Sequence, residues 1–228
     1  MIQVAEIVPD SNVMAAGHPV DIDELERLAG IRVGQDSLLR LNFKEIEKRL
    51  FQNAWVESVQ VSTRLPNAVS IHIGLKKPIA LLQDSKDGLL YYLDEKGQKI
   101  GVVDLSWSPD LPVISGKFDA ESARIGEAVE IIKAWEIYGV KNLATISEVH
   151  WDASTGFKLM ILYSISINGE KTVARTVLEA GRKSGFLTEN NAGRIEKVVQ
   201  YLMTNWISAS RLFLLADKKI VVRSARGS

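Results

Sequence analysis

Two short runs of alternating apolar residues, separated by a turn, most constrain what this chain can fold into. Successive side chains point to opposite faces of a β-strand, so each run would bury one face and expose the other. Pro66 and Asn67 between the runs are typical turn residues, and we therefore predict a half-buried β-hairpin within 53–78. The apolar residues are Trp55, Val59, Val61, Val69, Ile71 and Ile73, and the polar residues that alternate with them are Ser58, Gln60, Ser70 and His72.

Two capped helices are predicted before the hairpin. Asp21 and Asn42 each stand just before an apolar-periodic segment, and Glu24 and Glu45 follow three residues later. This spacing is typical of a capping box, in which the cap side chain accepts a hydrogen bond from a backbone amide of the first turn. A strand over 2–8 precedes both helices. The order predicted for the first part of the chain is therefore strand, helix, helix, strand, strand.

The remainder of the chain is predicted to form a mixed β domain with flanking helices, so the fold class is α+β. Asn168-Gly169 is the strongest short hairpin signal, and it favours a strand over 172–179, a segment whose composition also fits a helix. Residues 79–88 are interpreted as a bridge with a polar turn. The other predicted elements are strands at 89–93, 98–103, 148–152, 157–167 and 220–223, and helices over 119–138 and from Thr188 or Asn191 to about 205.

The composition excludes several classes of function. The 28 basic and 28 acidic residues cancel, which removes any global electrostatic argument for binding nucleic acid or an anionic membrane surface. The absence of cysteine excludes disulfides, zinc–thiolate sites and thiol chemistry. The apolar runs are far shorter than the roughly 20 residues of a membrane span, and the N-terminus does not indicate a signal peptide.

Candidate catalytic groups do not converge in the sequence. His18, His72 and His150 are scattered without metal-ligand spacing, and we interpret them as ordinary surface histidines. The chain carries no nucleophile-elbow, phosphate-binding or dinucleotide-binding motif. We therefore predict a protein that is not an enzyme, with no cofactor, no metal and no small-molecule substrate.

The element order and several motifs resemble the POTRA domain and the β domain of the bacterial cell-division protein family FtsQ/DivIB. Family members open the hairpin with a proline-tryptophan-valine motif, where this chain has Ala54-Trp55-Val56, and they turn it with an Arg-x-Pro motif. The resemblance covers nearly the whole chain. The other matching motifs are Arg64-Leu65-Pro66, Lys77-Pro78-Ile79-Ala80, Tyr92-Leu93-Asp94 with Gly97, and the loop 111–116.

The resemblance implies two domains and a place in the cell. Residues 1–78 would be a POTRA domain of order β-α-α-β-β, and 79–226 would be an FtsQ-type β domain, while Gly227 and Ser228 are interpreted as residues left by cloning. The chain would be the extracytoplasmic, periplasmic part of a single-pass inner-membrane protein whose anchor precedes residue 1. It would act as a non-catalytic scaffold of the division complex that recruits the septal peptidoglycan machinery.

The resemblance also implies partners and binding residues. Family members capture FtsB/DivIC-type and FtsL-type division proteins at the last strand of the β domain, and other divisome components at the POTRA domain. From the residues alone, the terminal strand has two interpretations: an edge that accepts another chain's strand, or a strand paired within its own domain. Carried over by position, the partner-binding residues are Ala216, Lys218, Ile220, Val222 and Arg223 on the terminal strand, and Ser70 and His72 on the hairpin edge.

Two other classes of function remain open from the sequence. A POTRA-type receptor or chaperone module in outer-membrane assembly or protein export would share the first domain. That function predicts further POTRA repeats or a membrane barrel, and 89–222 carries neither pattern. A small extracytoplasmic enzyme is the third alternative, and the scattered polar groups argue against it.

Overall fold

The computed structural model describes residues 1–9, 19–104, 106–107, 109–118, 123–167, 169–182, 184–214 and 219–224. The chain divides into two compact units. The first contains Met1–Pro78 together with Ile100–Pro109, and the second contains Ile79–Lys99 and Asp110–Ser228. The sequence did not indicate that 100–109 belongs with the first unit, because no motif in that segment distinguishes it from its surroundings. The domain limits 1–78 and 79–226 stay a prediction.

The first unit has the predicted order of strand, two helices and two strands, which confirms the POTRA-like part of the fold. A short 3₁₀ turn, Leu38–Arg40, separates the two helices. The elements are β1 (Val4–Pro9), α1 (Ile22–Ala29), α2 (Phe43–Leu50), β2 (Val56–Arg64) and β3 (Ala68–Leu75).

The second strand of the hairpin, β3, lies in the middle of the sheet of the first unit. The strand order is β1-β3-β2. β1 runs parallel to β3, with Ile7 opposite Ile71, and β2 runs antiparallel to it, with Val61 also opposite Ile71. The buried apolar face predicted for β3 is confirmed, since Val69, Ile71 and Ile73 are each 1% exposed, but Ser70, predicted to be exposed on the other face, is buried as well.

Both predicted helix caps are present. The Asp21 side chain accepts a hydrogen bond from the Asp23 amide at 2.9 Å, and the Asn42 side chain accepts one from the Glu45 amide at 3.3 Å. Helix α1 ends at Gly30, whose φ of +63° is the left-handed conformation that glycine adopts readily. The inner residues Leu25, Ile46 and Leu50 are buried.

The second unit holds a larger sheet with two helices. β6 (Lys99–Val102) begins in this unit and continues along the chain into the first. The other elements are β4 (Ala80–Gln83), β5 (Leu90–Leu93), β7 (Val113–Gly116), α3 (Ala123–Ile137), β8 (Thr145–Asp152), β9 (Gly156–Ile167), β10 (Glu170–Gly181), α4 (Glu189–Thr204), β11 (Ala209–Leu214) and β12 (Ile220–Ser224).

The strands of the second unit run in the order β12-β11-β10-β9-β8-β7-β4-β5. Parallel pairs join β10 to β11, β7 to β8 and β4 to β7, and β9 pairs antiparallel with both β8 and β10. The inner residues of α3 and α4 share one hydrophobic core with alternate residues of β7 to β11. The remaining residues of those strands therefore form the opposite face of the sheet.

Most predicted elements of this unit are confirmed, and one is corrected. The segment 79–88, interpreted as a bridge, contains β4, whose four residues pair with β5 on one side and β7 on the other. So short an apolar run has no diagnostic periodicity, and only its non-local partners define it as a strand. Residues 172–179 form part of β10, and Thr188 is the cap of α4. Asn168 of the predicted hairpin turn and 119–122, the first residues of the predicted helix 119–138, lie outside the described residues.

Candidate partner-binding site

The terminal strand β12 lies at the end of its sheet. Helix α4 connects β10 to the parallel strand β11, and the chain then returns antiparallel to β11 as β12. Among the described residues, β12 pairs with β11 alone. One side of β12 therefore has backbone amide and carbonyl groups that no strand in the described part of the chain occupies.

The register of β12 decides which side chains lie on each face. Val222 is opposite Leu212 and Ile220 is opposite Leu214, whereas Val221 is opposite Phe213. Directly opposed residues share a face, and Leu212 belongs to the core. Ile220 and Val222 therefore lie on the core side of the sheet, and Val221 lies on the other side.

The two valines of β12 are exposed although both are apolar. Val221 is 46% exposed and Val222 is 41% exposed. Natural sheets usually protect such an edge with charges, prolines or bulges. An incoming strand that pairs with β12 would cover both valines, because its side chains alternate between the same two faces.

The neighbouring strands hold β12 in place. The Ser210 hydroxyl donates a hydrogen bond to the Arg223 carbonyl at 2.9 Å, and the register shifts between Ala209 and Arg211. Arg211 bonds to the Glu179 carboxylate at 2.9 Å and so links β11 to β10. The edge is thus presented by an ordered three-strand segment.

Three of the five residues predicted on the terminal strand lie where they could meet a partner. Ile220, Val222 and Arg223 are on β12, and Arg223 is exposed. Ala216 and Lys218 lie outside the described residues. Sequence reasoning missed Val221, which the period-two alternation of the same strand could have indicated as the residue on the opposite face.

The prediction that Ser70 and His72 lie on a sheet edge is wrong. Both residues lie on β3, which β1 and β2 flank on its two sides. The strands that end this sheet are β1 and β2. The error arose because the pairing of β1 with β3 joins segments about 64 residues apart, and hairpin periodicity carries no signal of such a non-local neighbour.

Only His72 of that pair is presented to solvent. Ser70 is 4% exposed, and its hydroxyl lies 3.4 Å from the His72 Nε2 atom. His72 lines a shallow concavity of about 380 Å³ on the sheet face of the first unit. The other lining residues are Val8, Pro9, Ser58, Gln60, Ile73 and Gly74.

Two kinds of site are absent from the part of the chain that the structure describes. No group of three or more histidine, aspartate or glutamate side chains is placed to hold a metal ion. No helix there combines the length and the apolar character required to cross a membrane.

A known family model matches part of the chain. Residues 18–74 match the sequence model of the POTRA domain, FtsQ-type. This range covers α1, α2, β2 and nearly all of β3, so it includes every element of the β-α-α-β-β order except β1.

Curated relatives extend the similarity beyond the POTRA domain. The chain is 33% identical over 151 residues to a protein of Geobacter sp. (strain M21), which is 63% of this chain and 54% of the relative. It is 31% identical over 144 residues to a protein of Geotalea daltonii, covering 60% and 51%. A protein of Rickettsia prowazekii is 36% identical over 90 residues, covering 39% and 33%. All three bear the name cell division protein FtsQ.

The chain spans about half the length of the first two of these relatives. In the observed element order, a β-α-α-β-β arrangement that the matched range overlaps precedes a larger β unit. The resemblance to the FtsQ/DivIB family is thereby confirmed, and the chain carries an FtsQ-type POTRA domain at residues 18–74.

Proposed function

We propose that this chain is a non-catalytic scaffold of the bacterial division complex and that it captures a partner strand along β12. The observation that carries the proposal is the side of β12 that no strand of the described residues pairs with, together with its two exposed valines. Strand addition uses the backbone groups of such an edge for affinity and the alternating side-chain positions for selectivity. The relatives' name, cell division protein, supports a role in division.

The proposed partners are a FtsB/DivIC-type protein and an FtsL-type protein, as the family resemblance implies. Their strand would extend the sheet beyond β12, with apolar residues against Val221 and Val222 and with a hydrogen-bond ladder along 220–224. Arg223 would favour an acidic residue at the facing position, because opposite charges across paired strands stabilise the pair.

A short added strand binds weakly by itself, and the proposed location compensates for this. We place the chain outside the inner membrane, on an anchor that precedes residue 1. Two proteins tethered to one membrane meet at effective concentrations that reach the millimolar range for short flexible linkers. A contact of five residues on β12 is sufficient under that condition, and it remains reversible during the division cycle.

The concavity around His72 is a second contact surface in this proposal. Its lining carries Ser58, Gln60 and His72 around Gly74, so it offers hydrogen-bonding groups beside a few apolar residues. Such a surface suits transient recruitment of other divisome components better than a permanent interface, which would be more apolar.

Depletion of the native gene tests the proposed function. We expect depleted cells to grow into long filaments without completed septa, and a second intact copy of the gene to restore division. A module for outer-membrane assembly or protein export would instead give cells that divide normally but lose outer-membrane proteins. Normal cell length together with that loss would contradict the division role and support the alternative.

A further inference from the structure

A buried serine joins a glutamate and a histidine on the face of the second unit's sheet that lies away from the core. Ser115 on β7 is 5% exposed. Its hydroxyl donates to the Glu148 Oε1 atom and lies 2.7 Å from the His150 Nδ1 atom. The parallel pairing of β7 with β8 places Ser115 directly opposite His150. None of these residues belongs to the β12 edge.

The hydrogen bonds of Ser115 determine the tautomer of His150. A carboxylate only accepts hydrogen bonds, so the single hydroxyl proton of Ser115 is directed at Glu148. The contact with His150 then requires an Nδ1–H group that donates to the serine oxygen. In the neutral ring this leaves a lone pair on Nε2. Neither His150 Nε2 nor Glu148 Oε2 has a hydrogen-bond partner among the described residues.

This arrangement is not that of a hydrolytic triad. In a triad the acid orients the histidine, and the histidine accepts the proton of the nucleophile. Here the acid accepts the hydrogen bond from the serine, and the histidine donates one to the serine. The Glu148 Oε1 and His150 Nδ1 atoms are 3.8 Å apart. The serine is also almost fully buried. The cluster is therefore arranged to hold two acceptors in position.

Both acceptors line a cleft of about 750 Å³, a size typical of ligand sites in proteins. The cleft lies between the loop 83–88, the end of β7, and β8 with the turn that follows it. Trp151 and Ala153 also line it and add to its wall. Every lining residue belongs to the second unit.

Two of the three carboxylates that line the cleft are already paired with lysines. Its lining holds three carboxylates, Asp84, Glu148 and Asp152, and one lysine, Lys117. Lys99 bonds to Asp84 at 2.5 Å and Lys158 lies 3.8 Å from Asp152. The hydrogen bond from Lys99 is the main reason that the pKa of Asp84 is lowered.

Glu148 differs from the other two carboxylates of the cleft. Within the described part of the chain, no lysine or arginine forms an ion pair with it. Its Oε1 atom is engaged by the Ser115 hydroxyl, which leaves Oε2 to meet a ligand. The complementary ligand is a cation with more than one N–H donor.

We propose that this cleft binds an arginine side chain of a partner polypeptide, with Glu148 and His150 as the acceptors for its guanidinium group. The guanidinium carries five N–H donors in a rigid planar fork, and it loses less hydration on binding than an ammonium group does. A carboxylate paired with guanidinium gives the stronger, charge-assisted class of hydrogen bond. The proposal does not depend on strand capture at β12, and its test uses no division protein.

The test titrates the 228-residue chain with N-acetyl-arginine-N-methylamide and follows amide and imidazole chemical shifts. We expect shifts confined to 83–88, 115–117 and 148–154, with a dissociation constant on the order of 1 mM. Glu148→Gln keeps the shape of the side chain and removes its charge, and we expect it to weaken binding at least about tenfold. Lys117→Ala removes the cation of the lining and should strengthen binding.

Two controls make the result decisive. Glu196→Gln removes the same charge from the exposed face of α4 and should leave the dissociation constant unchanged. N-acetyl-norleucine-N-methylamide has a similar stem without the cation and should give no shifts in the cleft. Unchanged binding in Glu148→Gln, equal shifts with the norleucine compound, or no shifts with the arginine compound would each overturn the proposal.

Discussion

A proline at one of two neighbouring positions in β12 is expected to weaken capture of an FtsB/DivIC-type peptide at least about tenfold while the chain stays folded. Successive residues of an edge strand direct their backbone N–H groups alternately to the paired strand and to solvent. Of the two neighbours Val221 and Val222, one N–H therefore faces β11 and the other faces the incoming strand. Proline removes the donor and places its ring where a pairing strand would approach.

The pair of variants Val221→Pro and Val222→Pro separates folding from binding. The variant whose N–H faces β11 should weaken the β11–β12 pairing, whereas the other should keep the unfolding midpoint and weaken capture at least about tenfold. Isothermal titration and urea unfolding measure the two effects. Val221→Thr and Val222→Thr keep the donors and lose only apolar contact, so they should weaken capture less than the proline that faces the incoming strand. Capture that persists at parental strength in both proline variants would refute strand addition at β12.

Gly156→Ala is expected to cause a large loss of stability in the second unit. Gly156 begins β9 with a φ of +91°, and a Cβ atom there would lie 2.2 Å from the carbonyl carbon and oxygen of Gly181. These are backbone atoms, so no side-chain rotation relieves the overlap. Backbone strain of this kind typically costs about 1–3 kcal/mol, and the overlap adds a similar amount. We expect the free energy of unfolding, measured with urea, to fall by at least about 3 kcal/mol.

Gly193→Ala is the matched control for that substitution. Gly193 lies within α4, and a Cβ atom there would meet no atom within 4 Å. Alanine is the better helix former by about 1 kcal/mol, so this variant should be as stable as the parent or more so. Equal small effects of the two substitutions would contradict the packing described. They would show that the start of β9, beside the end of β10, tolerates a side chain at Gly156.

Local patterns in the sequence predicted the elements, and non-local pairing explains what they missed. The caps at Asp21 and Asn42 and the buried apolar face around Ile71 each depend on neighbours within a few residues, and all three were confirmed. By contrast, the central position of β3 in its sheet depends on pairing with β1, which lies far earlier in the sequence. No periodicity within a hairpin reveals such a third strand.

The cleft of the second unit shows the same limit more sharply. From the sequence, His150 was an isolated surface histidine. In the structure it contacts Ser115, a residue 35 positions away in the sequence. Helix α3 connects β7 to β8, and the parallel pairing of these two strands brings the two residues together. Parallel register is set by a crossover connection and not by a local turn. For the same reason, the sequence could suggest β12 as a terminal strand but could not decide that it ends its sheet.

The most direct measurement of the central claim is the position of the protein in dividing cells. A fluorescent tag on the full-length gene product should gather in a band at midcell as the septum forms. The same fusion carrying the proline that spares folding but weakens capture should lose the partner from that band. A parental fusion spread evenly around the whole cell envelope throughout division would contradict the division-scaffold account.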